Sequence, residues 1–276
     1  MGIVIRPASD LASVQTMVAM HWTPNHPVGR PDDPMARFYL MTPWVDRMVF
    51  PAGISVLIAW EDDTLLGFSC VQVTPIAAWH VIWTVTPEAR GKGVGRALLL
   101  AMREAVQPKP LWVFGISKAG MPHYEATGFQ TTVALRWQLK PQGVYMPLSS
   151  AAPLDPAWVR YRFDEHPIFK YQRNGETMIR EDLLTESSFH LPTASVLHVA
   201  HLGADWPMAL GGAAETYDLV QTWAYKNPGY SWIVPPATMP TVFHPPQARG
   251  NTLGVAGWPM LPPEIHAEDG MQGRWT

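Results

Sequence analysis

Val85-Thr86-Pro87-Glu88-Ala89-Arg90-Gly91-Lys92-Gly93-Val94-Gly95-Arg96-Ala97-Leu98-Leu99 is the stretch whose reading decides the fold. A β-branched run ends at Val85, Pro87 turns the chain, and the pattern Arg-x-x-Gly-x-Gly opens an apolar helix over about 94–106. Glycines at 91, 93 and 95 let the backbone come close to a ligand and leave amide N–H groups unobstructed. Those amides, with the positive end of the helix dipole, suit a pyrophosphate. Arg90, Lys92 and Arg96 can add charge-assisted bonds to phosphate oxygens. The spacing fits neither G-x-x-x-x-G-K-[ST] nor the G-x-G-x-x-G of a dinucleotide fold. The plain alternative is a glycine-rich strand-to-helix turn that serves packing alone.

Upstream, residues 3–6 read as a strand, and Pro7-Ala8-Ser9-Asp10 supplies a turn and an N-cap for a helix over 11–20. A loop at 21–34 precedes a second predicted helix at 35–48. Strands are expected at 54–61 and 66–74 around the acidic turn Asp62-Asp63-Thr64, and again at 78–85. Downstream come a strand at 111–116, a short helix at 122–127 closed by Gly128, and a strand at 129–139. The sum is a mixed α/β unit over 1–140. Residues 141–156, rich in proline, read as a linker. The remainder, 157–276, reads as a second α/β domain with a Pro-rich C-terminal region. Its predicted elements are strands at 158–171 and 177–180 around Asn174-Gly175, a strand at 196–201, a helix at 207–226 and a strand at 230–234.

Composition narrows the classes. The chain has 276 residues, enough for about two domains on length alone. Hydrophobic residues make up 47% and charged residues 16%, which argues against disorder. A formal net charge of −3 does not resemble the basic footprint of a nucleic-acid binder. Cys70 stands alone, which excludes an intramolecular disulfide and a multi-cysteine metal site. No apolar stretch approaches the roughly 18 residues of a spanning helix, and the N-terminus lacks a leader's apolar run. A soluble, cytoplasmic protein without a membrane partner is therefore the expectation.

The segment 85–99 resembles the acyl-CoA-binding motif of the GNAT superfamily of N-acetyltransferases. His123-Tyr124-Glu125-Ala126-Thr127-Gly128-Phe129 resembles that family's second signature, and Ile5-Arg6-Pro7-Ala8 fits its usual first strand. The three fall in family order over 1–140. The resemblance implies a GNAT-like mixed sheet flanked by helices and acetyl-CoA as cosubstrate. It implies that Trp83 and Val85 offer strand backbone to the acetyl-pantetheine arm. Arg90, Gly91, Lys92, Gly93, Val94, Gly95 and Arg96 would hold the pyrophosphate, and Ser117 would touch the cofactor. Tyr124 falls on the tyrosine that protonates the departing thiolate, and a phenol of pKa about 10 is protonated at pH 7.

The pattern also departs from the family. Several members carry a glutamate base on the strand entering the loop, and counting back from Val85 places it at Trp79. His80 is the best base on chemistry, yet strict strand alternation turns it to the opposite face. His21, His26, Asp32 and Asp33 lie in the loop that borders the acceptor in this fold, where they bind the acceptor or are simply solvated. His198 and His201 form H-x-x-H on a predicted strand, where they face opposite sides, so no metal site is expected. Residues 158–171 resemble the opening of a second GNAT-like domain in tandem members. The later glycines, Gly211-Gly212 and Gly250 to Gly254, have the wrong spacing for a second CoA site.

These readings predict an α/β GNAT-like domain followed by a degenerate GNAT-like copy that shapes the acceptor pocket or a contact between identical chains. The implied function is direct transfer of an acetyl group from acetyl-CoA to an amine, with a small molecule as acceptor. Tyr124 and His80 are the expected catalytic residues, and no metal is expected. Two other readings stand beside it: a non-catalytic acyl-CoA or partner-binding module, and a GNAT-fold enzyme acting on a modified nucleobase.

Overall fold

The computed structural model describes residues 2–22, 24, 26–114, 116–117, 119–139, 154–184, 194–201, 205–217, 219–224, 232–233 and 250–256. Two compact units emerge: one built on Met1–Thr131 together with the described residues 253–256, the other on Thr132–Thr252. The linker expected at 141–156 lies outside the described residues up to 153, as does most of the Pro-rich region from 234.

In the first unit, β1 (Val4–Pro7), β2 (Val56–Glu61), β3 (Thr64–Val73) and β4 (Ala78–Val85) form an antiparallel run. β5 (Leu111–Phe114) joins β4 in parallel, and β12 (Gly250–Ala256) pairs antiparallel with β5. This is the α/β mixed sheet that the sequence implies. Helix α1 (Leu11–His21) starts where expected, because Asp10 Oδ1 accepts from the Ser13 amide at 2.7 Å and Oδ2 from the Ser13 hydroxyl at 2.8 Å. Helix α2 (Pro34–Leu40) is capped by Asp33, which accepts from the Met35 amide at 2.9 Å. It is shorter than the predicted 35–48. Pro43 disfavours helical backbone at Thr42, whose hydroxyl instead donates to the Val73 carbonyl at 2.6 Å.

Helix α3 (Val94–Ala105) lays Val94, Leu98, Leu99 and Met102 onto the sheet, all buried. They meet Leu57, Ala59, Leu66, Val71, Val73, Leu111 and Val113, together with Tyr124 of α4 (Met121–Glu125) and Phe129. Each such side chain removed from water contributes about 1.5–3 kcal/mol. Cys70 is fully buried and free, as a small core hydrophobe should be, and burial pushes its thiol well above the usual range.

The second unit contains β6 (Gln130–Leu139), β7 (Gln172–Asn174), β8 (Thr177–Leu184), β9 (Ala194–His201), β10 (Leu219–Ala224) and β11 (Trp232–Ile233). β9 and β10 are parallel, whereas the β7–β8, β8–β9, β6–β10 and β6–β11 pairs are antiparallel. Two sequence expectations are corrected here. The segment 158–171 begins as helix: α5 (Pro156–Val159) runs into a π-turn at Arg160–Asp164. Asp155 caps it by accepting from the Trp158 amide at 2.9 Å, and Pro156 fits the first turn. The predicted helix at 207–226 is instead α6 (Trp206–Ala209), α7 (Ala213–Thr216) and strand β10. Gly212, at φ +76°, breaks the helix between them. No helix among the described residues is long and apolar enough to cross a membrane.

One close approach locks β3 to β4 near the loop. A Cβ on Gly67 would lie 2.5 Å from the Thr84 carbonyl oxygen and 3.1 Å from Val85 Cα. Gly67→Ala is therefore expected to destabilise the unit by about 1–3 kcal/mol through overpacking against backbone. Urea unfolding monitored by tryptophan fluorescence measures this, and an unchanged midpoint contradicts it.

Candidate active site

Strand β4 carries the central irregularity. Its register with β3 runs Val73↔Ala78, Gln72↔Trp79 and Val71↔His80, then resumes at Cys70↔Ile82 and Ser69↔Trp83, leaving Val81 as an extra residue. Strict alternation would place Trp79, Val81, Trp83 and Val85 on one face and His80 on the other. The bulge resets that parity. His80 consequently shares a face with Trp83, which corrects the sequence expectation. Both rings flank Tyr124, with centroids 5.9 Å and 5.2 Å from it. Trp79 turns the other way and meets Trp112 edge-on at 5.3 Å.

The bulge coincides with a parting of strands. Parallel pairing between β4 and β5 covers Ala78↔Leu111, Trp79↔Trp112 and His80↔Val113. β4 continues to Val85, but among the described residues no strand pairs with its β5-side edge beyond His80. Along that edge the Trp83–Val85 stretch has no strand partner among the described residues, while its other edge pairs with β3. Trp83 and Val85 are half-buried, as a surface that receives a ligand would be.

Beyond Val85 the chain makes one 3₁₀ turn at Pro87–Ala89 and reaches the glycines. Gly91 and Gly93 have φ of +77° and +79°, and a Cβ on either would meet nothing within 4 Å. Backbone conformation, rather than crowding, is what calls for glycine at these two positions. Gly95 answers a different constraint: a Cβ there would lie 2.8 Å from the Trp83 ring. The first helical bond of α3 runs from the Ala97 amide to the Gly93 carbonyl at 3.0 Å, so the amides of Val94, Gly95 and Arg96 precede it. No side chain caps this end, and Arg90, Lys92 and Arg96 are all exposed around it. An anion placed there would meet free amides, the helix dipole and three cations.

Tyr124 lies beside the parted strands. Its hydroxyl is 2.8 Å from His80 Nδ1, and His80 Nε2 is 2.8 Å from Ser69 Oγ. All three are buried. Burial pushes His80 down from its ordinary 6.5 to about 3, so the ring is neutral at pH 7 and a weak base. Burial also pushes the Tyr124 hydroxyl far above 10, so the phenol keeps its proton. His123 is exposed and packs edge-on to Trp83 at 6.1 Å.

Other sequence candidates hold structural posts. Ser117 is exposed, and its Oγ accepts from the Gly120 amide at 3.0 Å, shaping the turn into α4. His26 Nδ1 accepts from the Val28 amide, and Asp33 caps α2. Among the described residues no group of three or more His, Cys, Asp or Glu could hold a metal. Ser69 was missed by sequence reasoning. Its one signal is a small polar residue within the apolar run Phe68-Ser69-Cys70-Val71.

Residues 52–131, from β2 to the start of β6, match the family model of the acetyltransferase (GNAT) domain, as the two signatures imply. No curated protein matches the chain. Among solved structures, a Pyrococcus horikoshii protein assigned as an acetyltransferase is 18% identical over 60% of this chain and 57% of its own, with a TM-score of 0.36. The present chain thus spans little more than half of that protein. The PaiA N-acetyltransferase of Thermoplasma acidophilum, solved with coenzyme A, is 20% identical over 48% of this chain and 92% of its own, at 0.34. The ribosomal-protein-S18-alanine N-acetyltransferase of Escherichia coli is 16% identical over 49% and 82%, at 0.38.

The buried imidazoles give stability a definite pH dependence. In the unfolded chain His80 titrates near 6.5, whereas the folded value is about 3; His26 falls to about 4 for the same reason, desolvation. Between those values and 6.5 the unfolded state binds more protons. The stability from keeping these rings neutral is fully present above about 6.5 and is lost as pH falls toward 3. His80→Gln is expected to flatten the dependence between pH 6.5 and 4.5 by up to one proton. Urea unfolding of both proteins at stepped pH reads this, and parallel slopes would contradict it.

Proposed function

We propose that the protein is an acetyl-CoA-dependent N-acetyltransferase that moves an acetyl group directly to an amine, with a small molecule as acceptor. The observation that carries this reading is the sequence of features along one path. A half-open strand edge at Trp83–Val85 leads into a left-handed glycine loop and the free first-turn amides of α3, and Tyr124 stands beside the strand. The GNAT domain match over 52–131 supports it.

The residues fit a CoA ester. Its pyrophosphate would rest on the amides of Val94, Gly95 and Arg96 with Arg90, Lys92 and Arg96 around it, while its amide-bearing arm would pair with the open edge of β4 near Trp83 and Val85. Acetyl-CoA supplies an activated thioester whose sulfur is the leaving group. Positioning by the loop and strand edge contributes most of the rate enhancement, because it turns a bimolecular encounter into an oriented one. Tyr124 then donates its phenolic proton to the departing sulfur. A base as weak as the buried His80 does not deprotonate the amine, so the amine enters neutral and sheds its proton to solvent after attack.

Two variants test the reading. Gly93→Val forces a β-branched residue to φ +79° and is expected to weaken coenzyme A binding at least tenfold in calorimetry while the domain stays folded. Unchanged affinity in the folded variant removes the basis of the proposal. Tyr124→Phe keeps the ring packed against Trp83 and Phe129 but deletes the proton donor. Its kcat, measured with acetyl-CoA across an amine panel, should fall by about 10²–10⁴ with KM for acetyl-CoA nearly constant. Normal turnover would transfer the acid role elsewhere.

A further inference from the structure

We infer that Ser69 and His80 are positioning residues that aim the Tyr124 hydroxyl: Ser69 donates to His80 Nε2, His80 Nδ1–H donates to the Tyr124 oxygen, and the phenolic O–H is left free for the leaving sulfur. The last clause rests on the proposed acid role of Tyr124, but the direction of the chain rests on hydrogen-bond accounting alone. Three polar groups stand in a line, Ser69 Oγ, the imidazole and Tyr124 Oη, joined by two contacts of 2.8 Å. Among the described residues, none of Ser69, His80 and Tyr124 makes another side-chain hydrogen bond.

A neutral imidazole carries one N–H and one bare nitrogen, so the chain can run in only two senses. If Tyr124 donates to Nδ1, then Nε2–H donates to Ser69, and the serine proton has no acceptor. Ser69 is 0% exposed, so that orphan donor would be wholly buried, at a cost of about 1–3 kcal/mol. If Ser69 donates to Nε2, the donors of Ser69 and His80 are both satisfied. The one unpaired proton then sits on Tyr124, a residue that keeps 5% of its surface exposed where Ser69 keeps none, and whose ring meets Trp83 of β4. The second sense is the one the interior accommodates.

It is also the sense that helps an acid. A phenol already donating to histidine would have to break that bond before reaching a sulfur. A phenol that accepts from Nδ1–H keeps its own proton available. As the carbon–sulfur bond breaks, the Tyr124 proton passes to sulfur and the phenolate oxygen retains the Nδ1–H bond, which stabilises its charge. The phenolate regains a proton from solvent, matching the one shed by the amine, so charge and protons balance. His80 remains neutral throughout, consistent with the burial that disfavours its cationic form. Its contribution is direction and a donor, fixed by Ser69.

The test reads the tautomer directly in the full chain without any ligand. Long-range ¹H–¹⁵N spectra at pH 7, with the His80 ring assigned through its contacts to Tyr124, are expected to show Nδ1 protonated and Nε2 bare. The opposite pattern, Nε2 protonated, would overturn the proposal whatever the catalytic results. In Ser69→Ala acetyl-CoA turnover should lose about 10- to 100-fold in kcat with KM nearly unchanged, as expected for an outer hydrogen bond that orients a catalytic group. Unchanged kcat in a folded Ser69→Ala protein would overturn the positioning role of Ser69. If Ser69→Ala does not fold, the wild-type spectrum alone still decides the direction. An Nδ1–H tautomer together with normal turnover in Tyr124→Phe would refute the acid role while leaving the chain's direction standing.

Discussion

The extra residue at Val81 in β4 is the constraint on which the site depends. Because side-chain facing in a strand has period two, one inserted residue reverses every facing on one side of it. His80 thereby joins Trp83 on the face that carries Tyr124, and Trp79 is sent to the face it shares with Trp112. The pairing of β4 with β5 ends at His80↔Val113, immediately before the bulge. A bulged strand bends and twists more strongly, which accounts for strands that run together for three residues and then separate. A single local irregularity thus produces both the buried polar chain and the open edge beside it.

Around that edge, three glycines do two different things. Gly91 and Gly93 supply left-handed backbone that turns the loop, while Gly95 lets α3 approach Trp83. Had Gly95 carried a side chain, the helix would have to stand off from the strand, separating its free amides from the strand edge. The loop therefore couples packing to binding. Cations at Arg90, Lys92 and Arg96 remain solvated, where they attract an anion without a desolvation cost to the fold.

The interior accepts a polar chain at a cost in stability that hydrogen bonding offsets. Ser69, His80 and Tyr124 are removed from water, and each would be unfavourable there without a partner. Linked end to end, they satisfy one another except at one terminus. The ring stays neutral because charging it would mean solvating a cation inside a core of Val71, Val113 and Phe129. The same burial that weakens His80 as a base makes its hydrogen bonds directional and strong. A histidine at this place is therefore suited to orienting a neighbour.

Much of this was legible in the residues. The Arg-x-x-Gly-x-Gly loop, the helix after it and the signature around Tyr124 are local patterns, set by backbone freedom, dipole and short-range spacing. The order of elements over the first unit followed from hydrophobic period and caps such as Asp10. Where neighbouring signals competed, sequence reading erred: Asp155-Pro156 caps a helix in a segment that reads as strand by its aromatics, and Gly212, in left-handed backbone, separates two short helices where composition reads as one helix to 226. The facing of His80 and the part played by Ser69 lay beyond any local pattern. Both depend on which residue of β3 lies opposite which residue of β4, a long-range choice made when the sheet assembles. The sequence by itself determined that a phosphate-binding loop and a tyrosine would be present. Only the tertiary structure decided that a bulge would bring a serine, a histidine and that tyrosine into one line, because strand register is set by the packing of both faces at once.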